Sequence, residues 1–248
     1  MSVTQTEIGN DEFKAHMPVL ESLADKTMDY INELDATDLS SILGISLNMA
    51  VKLKQYAYDF PIKTLGLPAI QAFTGEVFRA LDIKSLNSEN LEEGQKYVRI
   101  ISSLYGILKF DDIIKPYRLE FNKNCAPDGM NMIKYLKPKV TIEFVKELKA
   151  SGEREILDLL PGDASKCLDW KLIKAFAKVE KPDFKMVAEG GEFRTPHAGR
   201  LKELRGKMLH TILKRKIHSL AQLKTTEFQD FTFSEKGSKP GLPLFVSV

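Results

Sequence analysis

The 248-residue chain is short of several things. It has no run of about 18 apolar residues long enough to span a bilayer, and residues 1–20 lack the basic-then-apolar layout of a secretory leader. A cytoplasmic protein with no membrane partner is therefore expected. Only two cysteines are present, Cys125 and Cys167, too few for a disulfide framework and in no CxxC or Cys/His metal spacing; reduced thiols are expected. The four histidines (His16, His197, His210 and His218) are scattered, with no HExxH pair, so no metal site is expected. His197, between Pro196 and a basic run, is the one weighed as a site residue. Neither GxGxxG nor a Walker sequence occurs, which removes the usual nucleotide signatures, and no cofactor is expected. Internal repeats and low-complexity linkers are also missing.

What is present is an ordinary globular composition, 43% hydrophobic and 28% charged, with a formal net charge of only +2. That total conceals an asymmetry. Met1–Asp38 carries nine acidic residues against Lys14 and Lys26, whereas Arg200–Lys216 carries seven basic residues against Glu203 alone. Separated fields of this kind suit an anionic partner, most commonly nucleic acid, although a solvated basic helix face gives the same pattern.

Along the chain, Phe13, Met17, Leu20, Leu23 and Met28 predict an amphipathic helix, or a broken pair of helices, over residues 11–34. Residues 1–10 are polar and expected to be disordered, and residues 11–248 are expected to form a single domain. Helices are predicted near residues 76–81, 87–96, 141–150 and 200–216. Strand candidates are Glu155–Leu160, Leu172–Val179, Phe184–Ala188, Phe228–Phe233 and Leu244–Val248, with strand or buried helix at Tyr97–Tyr105. Asp111–Leu119 is expected to be irregular because Pro116 disfavours helix at Lys115.

The most specific local pattern, Leu39-Ser-Ser-Ile42-Leu43-Gly44-Ile45-Ser46-Leu47-Asn48-Met49-Ala50-Val51-Lys52-Leu53, resembles a helix-hairpin-helix motif, placed at residues 38–59. Leu39 and Ile42 would pack on Leu53, Gly44 would take a conformation closed to other residues, and Ala50 would let the helices approach. Amides at Gly44, Ile45, Ser46 and Leu47 would then face a phosphate, aided by the helix dipole and by Lys52 and Lys54. Ser46 stands where the usual motif has a second glycine. A plain helical hairpin with a glycine cap is the competing reading.

Arg205 stands out on physical grounds. At 100° per residue it falls inside the apolar arc of Leu201, Leu204, Met208, Leu209, Ile212 and Leu213, so it needs an acid such as Glu120 or Asp163, or a phosphate. Lys202, Lys207, Lys214 and Lys216 are expected on the solvated or phosphate-facing side. Tyr117, Arg118 and Glu120 follow Pro116 on a constrained loop where side chains can serve binding. Arg118 is the first choice for an anion contact, while Glu120, a single carboxylate, is a weak catalytic signal.

Downstream of the hairpin, Ala69-Ile-Gln-Ala-Phe73-Thr-Gly75-Glu-Val77-Phe78, Tyr97-Val-Arg99-Ile-Ile-Ser102-Ser-Leu104-Tyr105-Gly106-Ile-Leu108 and Pro116-Tyr117-Arg118-Leu119-Glu120 resemble, in order, signatures of the YaaA family of peroxide-stress proteins, also designated UPF0246. Glu155–Asp163 with Lys166, Arg205-Gly206 and Phe231–Val246 are similar to later family segments, so the resemblance covers roughly residues 36–247. It implies an α+β fold, a mixed sheet with surrounding helices and a concave basic surface. It also implies a helix-hairpin-helix, binding of double-stranded DNA and a role in limiting peroxide and iron damage. Family members usually begin with an apolar strand followed by Ser-x-Ala-Lys-Thr, and nothing similar precedes Phe13 here.

The expected function is thus sequence-blind binding of duplex DNA through Gly44, Ile45, Ser46, Leu47, Lys52, Lys54, Arg118, Lys202, Arg205, Lys207 and Lys214. The alternative is an enzyme acting on a small anionic or nucleotide-like ligand in a cleft of Tyr117, Arg118, Glu120, Asp163 and Arg205.

Overall fold

The structure, a computed structural model, describes residues 16–62, 66–188 and 190–247, together with the backbone of Ser2 and Val3. The expected disordered segment lies outside the described residues except for that dipeptide. In chain order the elements begin with β1 (Ser2–Val3), α1 (Glu21–Glu33), α2 (Ala36–Leu43), α3 (Leu47–Asp59), β2 (Leu67–Pro68), α4 (Ala69–Ala72), α5 (Glu76–Leu81) and α6 (Ser88–Tyr97). Four short strands follow, β3 (Ile100–Ser102), β4 (Gly106–Leu108), β5 (Ile113–Ile114) and β6 (Tyr117–Arg118). Then come α7 (Met132–Ser151), β7 (Glu155–Leu157), α8 (Gly162–Ser165), α9 (Trp170–Ile173), β8 (Lys178–Glu180), β9 (Asp183–Val187) and β10 (Phe193–Arg194). The chain closes with α10 (Ala198–Arg215), α11 (Leu220–Lys224), β11 (Thr232–Lys239) and β12 (Leu242–Ser247).

These elements form two compact units. The first comprises Met1–Thr74, Gln95–Phe144 and Gly162–Asp169, and the second Gly75–Gly94, Val145–Pro161 and Trp170–Val248. The class is mixed α+β. Among the described residues its strands are divided over several small sheets, where a single mixed sheet was expected.

In the first unit, α1 buries Leu23, Ala24, Met28 and Ile31, positions spaced for one helical face. The helix starts later than the apolar spacing predicts because Pro18 holds Met17 out of helical conformation; Met17 is 59% exposed. Helices α2 and α3 pack on each other and α3 also contacts α1 and β6. Strands β1 and β6, β2 and β5, and β3 and β4 pair antiparallel. The segment expected to be irregular thus contains two dipeptide strands on either side of Lys115-Pro116. Helix α7 begins at Met132, well before Thr141, and runs through Pro138. An interior proline costs about 3 kcal/mol, and the row of Met132, Leu136 and Val140, each 0% exposed, offsets it.

The second unit holds a four-stranded sheet of order β10-β9-β12-β11, with β12 parallel to β9 and antiparallel to β11. Its core is aromatic: Phe184, Phe228, Phe231 and Phe245 pack with Leu204 and Met208 of α10, and Leu157 and Leu159 join from the β7 side. Phe184 meets Phe228, Phe231 and Phe245 at centroid distances of 5.9, 6.0 and 6.2 Å. Strands β7 and β8 form a separate parallel pair. The strand expected at Leu172–Val179 starts only at Lys178, because Ile173 and Ala177, both buried, stand at helical spacing.

Helix α10 crosses α5 closely. A Cβ at Gly206 would lie 2.2 Å from Val77 O and 2.8 Å from Ala80 Cβ, so no other residue fits there. His210 Nδ1 lies 2.7 Å from Leu81 O on the same face.

Candidate functional site

The turn between α2 and α3 follows from its sequence. Gly44 takes φ +62°, ψ +42°, the left-handed conformation that glycine tolerates best, and its N–H donates to Ser40 and Ser41 carbonyls at the end of α2. Ser40 Oγ donates to Ile45 O at 2.6 Å, tightening the turn. Leu39, Leu43, Ala50 and Leu53 are buried, so Leu43 fills the packing position expected of Ile42, which is half-buried.

Beyond the turn, α3 begins without a side-chain cap on Ser46. Ser46, Leu47 and Asn48 are exposed, and their amides donate to no described residue, whereas those of Met49 and Ala50 return to Ser46 O. Three adjacent free N–H groups thus open a 13-residue helix, where the dipole favours an anion.

A cation that sequence reading missed stands beside Gly44 of the same turn. A Cβ on Gly44 would lie 3.5 Å from Lys123 Nζ. Lys123 is held in place through its backbone, accepting from Met132 N at 2.9 Å. No local pattern could have paired it with a residue so distant in the chain. Lys52 is exposed, its ammonium 5.7 Å from the Tyr56 ring. Lys54 is otherwise engaged: its ammonium caps α1, donating to Leu34 O and, at 3.1 Å, to Asn32 O. Its charge serves a helix C-terminus, where carbonyls go unsatisfied.

Arg118 is exposed on β6, the strand on which α3 packs. Tyr117 is not a binding-loop residue. It is 0% exposed, and its hydroxyl lies 2.7 Å from Ser102 Oγ, which also accepts from the amides of Leu104 and Tyr105. Strand pairing turns Tyr117 inward and Arg118 outward. Burial raises the phenol pKa of Tyr117, so it stays neutral. Glu120 is exposed, and Asp163 forms an exposed ion pair with Lys166 at 2.9 Å. Arg118, Glu120 and Asp163 belong to the first unit and Arg205 to the second.

In the second unit three of the seven cations from Arg200 to Lys216 form ion pairs. Lys202 pairs with Glu76 at 3.4 Å, Lys216 with Glu89 at 2.6 Å and Arg200 with Glu203 at 2.8 Å. The Lys216 ammonium depresses the Glu89 carboxyl pKa through its hydrogen bond, and its own pKa rises in return. At 100° per residue Lys207 and Lys214 lie roughly 180° around the helix from Arg205, so no flat surface meets all three. Arg205 is half-buried; burial lowers its pKa, and the one named carboxylate acting on it is Asp158, in place of the expected Glu120 or Asp163. His197 caps α10, its Nδ1 accepting from Arg200 N at 3.2 Å.

Both cysteines are buried in the first unit, and burial pushes each thiol up to about 12. Among the described residues no group of three His, Cys, Asp or Glu side chains is placed to hold a metal ion, and no helix is long and apolar enough to cross a membrane.

Comparison with known proteins places these features in a family. A UPF0246 protein of Bacteroides fragilis is 32% identical over 209 residues, 83% of this chain and 80% of the relative. One from Parabacteroides distasonis is 28% identical over 246 residues, covering 96% and 95% of the two chains. One from Alteromonas mediterranea is 27% identical over 250 residues, covering 96% and 95%. The family model described as peroxide stress protein YaaA matches residues 2–237, and the chain belongs to that family.

Proposed function

We propose that this member of a peroxide-stress family binds duplex DNA by its phosphate backbone, through a helix-hairpin-helix formed by α2, the Gly44–Leu47 turn and α3. The observation that carries the reading is the row of free amides at Ser46, Leu47 and Asn48 in a turn whose Gly44 lies next to the Lys123 ammonium. Amides and a point charge suit a phosphate, and neither reads base edges, so binding is expected to be indifferent to sequence. Lys52 and Arg118 extend the cationic surface of the same unit. Lys54 does not belong to it, because its ammonium caps α1.

Counterion release supplies the test. With about two to four phosphate contacts, log affinity for a random duplex should fall against log salt with a slope of roughly −2 to −4. Lys123→Gln should make that slope shallower by about one unit and leave the melting temperature unchanged. A flat slope in the parent protein would overturn the reading.

A further inference from the structure

The chain enters α1 over a short strap, residues 16–19, that the DNA reading does not use. His16 bridges to Asp112 in parallel, its N–H donating to Asp111 O at 3.4 Å and its carbonyl accepting from Ile113 N at 2.8 Å. His16, Met17 and Val19 are exposed and Pro18 alone is buried, so the strap has little apolar surface to hold it down. Its attachment depends on polar contacts. Besides the backbone bonds, His16 Nδ1 meets Asp111 Oδ2 at 2.8 Å. A carboxylate only accepts, so Nδ1 carries the hydrogen.

The two partners of that contact sit in different surroundings. The His16 side chain is 55% exposed and the Asp111 side chain 6%. Solvent protons therefore reach the imidazole, while the carboxylate is held out of water. Asp111 Oδ1 is buried without a hydrogen-bond partner among the described residues, so the imidazole is the donor on which this carboxylate relies. Gln95, arriving from α6, directs its side-chain oxygen to the Asp111 amide, and Ala69 N donates to Asp112 O from the start of α4; neither brings a charge. Asp111, Lys109 and His16 all act on Asp112, which is itself buried and held at Oδ2 by the Lys109 amide. With both carboxylates ionised, Lys109 offsets one of the two negative charges. His16 offsets the other only when protonated.

We propose that His16 and Asp111 form a pH-sensitive latch that pins residues 16–19 to the Asp111–Ile113 edge while the imidazole is protonated and loosens the entry to α1 when it is neutral. A charge-assisted hydrogen bond is roughly twice as strong as a neutral one. The strap therefore opens more often as pH rises through the range where histidine ordinarily changes charge, roughly pH 5 to 8. This assignment does not rest on the DNA reading, since it uses no residue of the hairpin.

The experiment is amide hydrogen exchange of the full chain, followed by NMR across that pH range and corrected for the intrinsic pH dependence of exchange. The Ile113 amide, which donates to His16 O, reports opening of the strap, and the Val140 amide, in the buried row of α7, reports unfolding of the unit. Protection of Ile113 relative to Val140 should fall about tenfold between about pH 5.5 and about pH 8, the difference between a charged and a neutral hydrogen bond. His16→Gln leaves a donor but no titrating charge, and its ratio should stay flat. Asp112→Asn should keep the fall, which separates the latch from the titration of Asp112 itself. The proposal is overturned if the parent ratio does not change with pH, if His16→Gln shows the same fall, or if Asp112→Asn abolishes it.

Discussion

The turn after α2 and the helix α10 both stand near positive charge, yet they differ in what that charge is already doing. On α10, Lys202 and Lys216 are neutralised by Glu76 and Glu89 and Arg200 by Glu203, and the helix is pressed onto α5 at Gly206. At the α3 turn, Lys123 and Lys52 form no ion pair among the described residues and three amides are free. The number of basic residues in a segment therefore says little about the charge available to a ligand. Nearby acids decide that: Arg200, Lys202 and Lys216 are paired, whereas Lys207, Lys214 and Arg215 form no ion pair among the described residues.

The largest expected effect tests whether α10 is chiefly architectural. Gly206→Ala would set a Cβ against backbone and a neighbouring Cβ, neither of which can swing aside, and should destabilise by about 3 kcal/mol. Gly44→Ala meets only the mobile end of Lys123 at 3.5 Å. Its cost is confined to the left-handed backbone, about 1 kcal/mol. Thermal melts of both should show the α10 variant falling several-fold further, and equal losses would remove the contrast. For DNA the ranking should invert. Gly44→Val disfavours the turn geometry that aims the amides and should weaken duplex affinity about tenfold, the equivalent of 1.4 kcal/mol, as measured by fluorescence anisotropy.

Much of this arrangement was legible in the sequence. The Gly44 turn, the α10 span and the inward position of Arg205 all follow from local periodicity, because a helix fixes which residues share a face. What could not be read depends on contacts between distant segments. Lys123 reaches the Gly44 turn, Lys54 turns back to cap α1, and Glu76 and Glu89 cover α10 lysines. Tyr117 departs from expectation for a related reason: the string Pro116-Tyr117-Arg118-Leu119-Glu120 looks like a polar loop, but pairing of β6 alternates its side chains between core and solvent. Periodicity likewise points Arg205 to Glu120 or Asp163, although Asp158 is the acid that acts on it.

A smaller effect concerns the buried carboxylates of the hairpin's own unit. Asp112 is raised to about 6, chiefly by burial and then by the neighbouring Asp111, although the Lys109 amide holds Asp112 Oδ2 at 2.8 Å. The folded state binds this proton more tightly than the unfolded chain does. The group therefore costs stability as pH rises from about 4 through 6, and relieves that cost as pH falls back. Asp112→Asn can still accept from the Lys109 amide. After allowance for solvent screening it should stabilise the protein by about 1 kcal/mol at pH 7.5 and by little at pH 4. A gain independent of pH would point to packing instead.

The smallest effect is expected where the positive charge is densest. If the solvent face of α10 gripped DNA, replacing Lys202, Lys207 and Lys214 together by glutamine would remove three phosphate contacts, and the salt slope would flatten by roughly 2.7 units. Lys202 already faces Glu76, and the proposed phosphate contacts use no α10 residue, so none of the three lysines is expected to hold a phosphate. The triple variant should therefore shift the slope by less than about half a unit and duplex affinity by less than about threefold at 0.1 M salt. Its melting temperature should stay within about 2 °C of the parent, since exposed ion pairs contribute little. Lys123→Gln alone should exceed it in both slope and affinity. If the triple variant instead flattens the slope by two units or more, α10 holds phosphates after all, and the contrast between occupied and available charge fails at the helix where it is drawn most sharply.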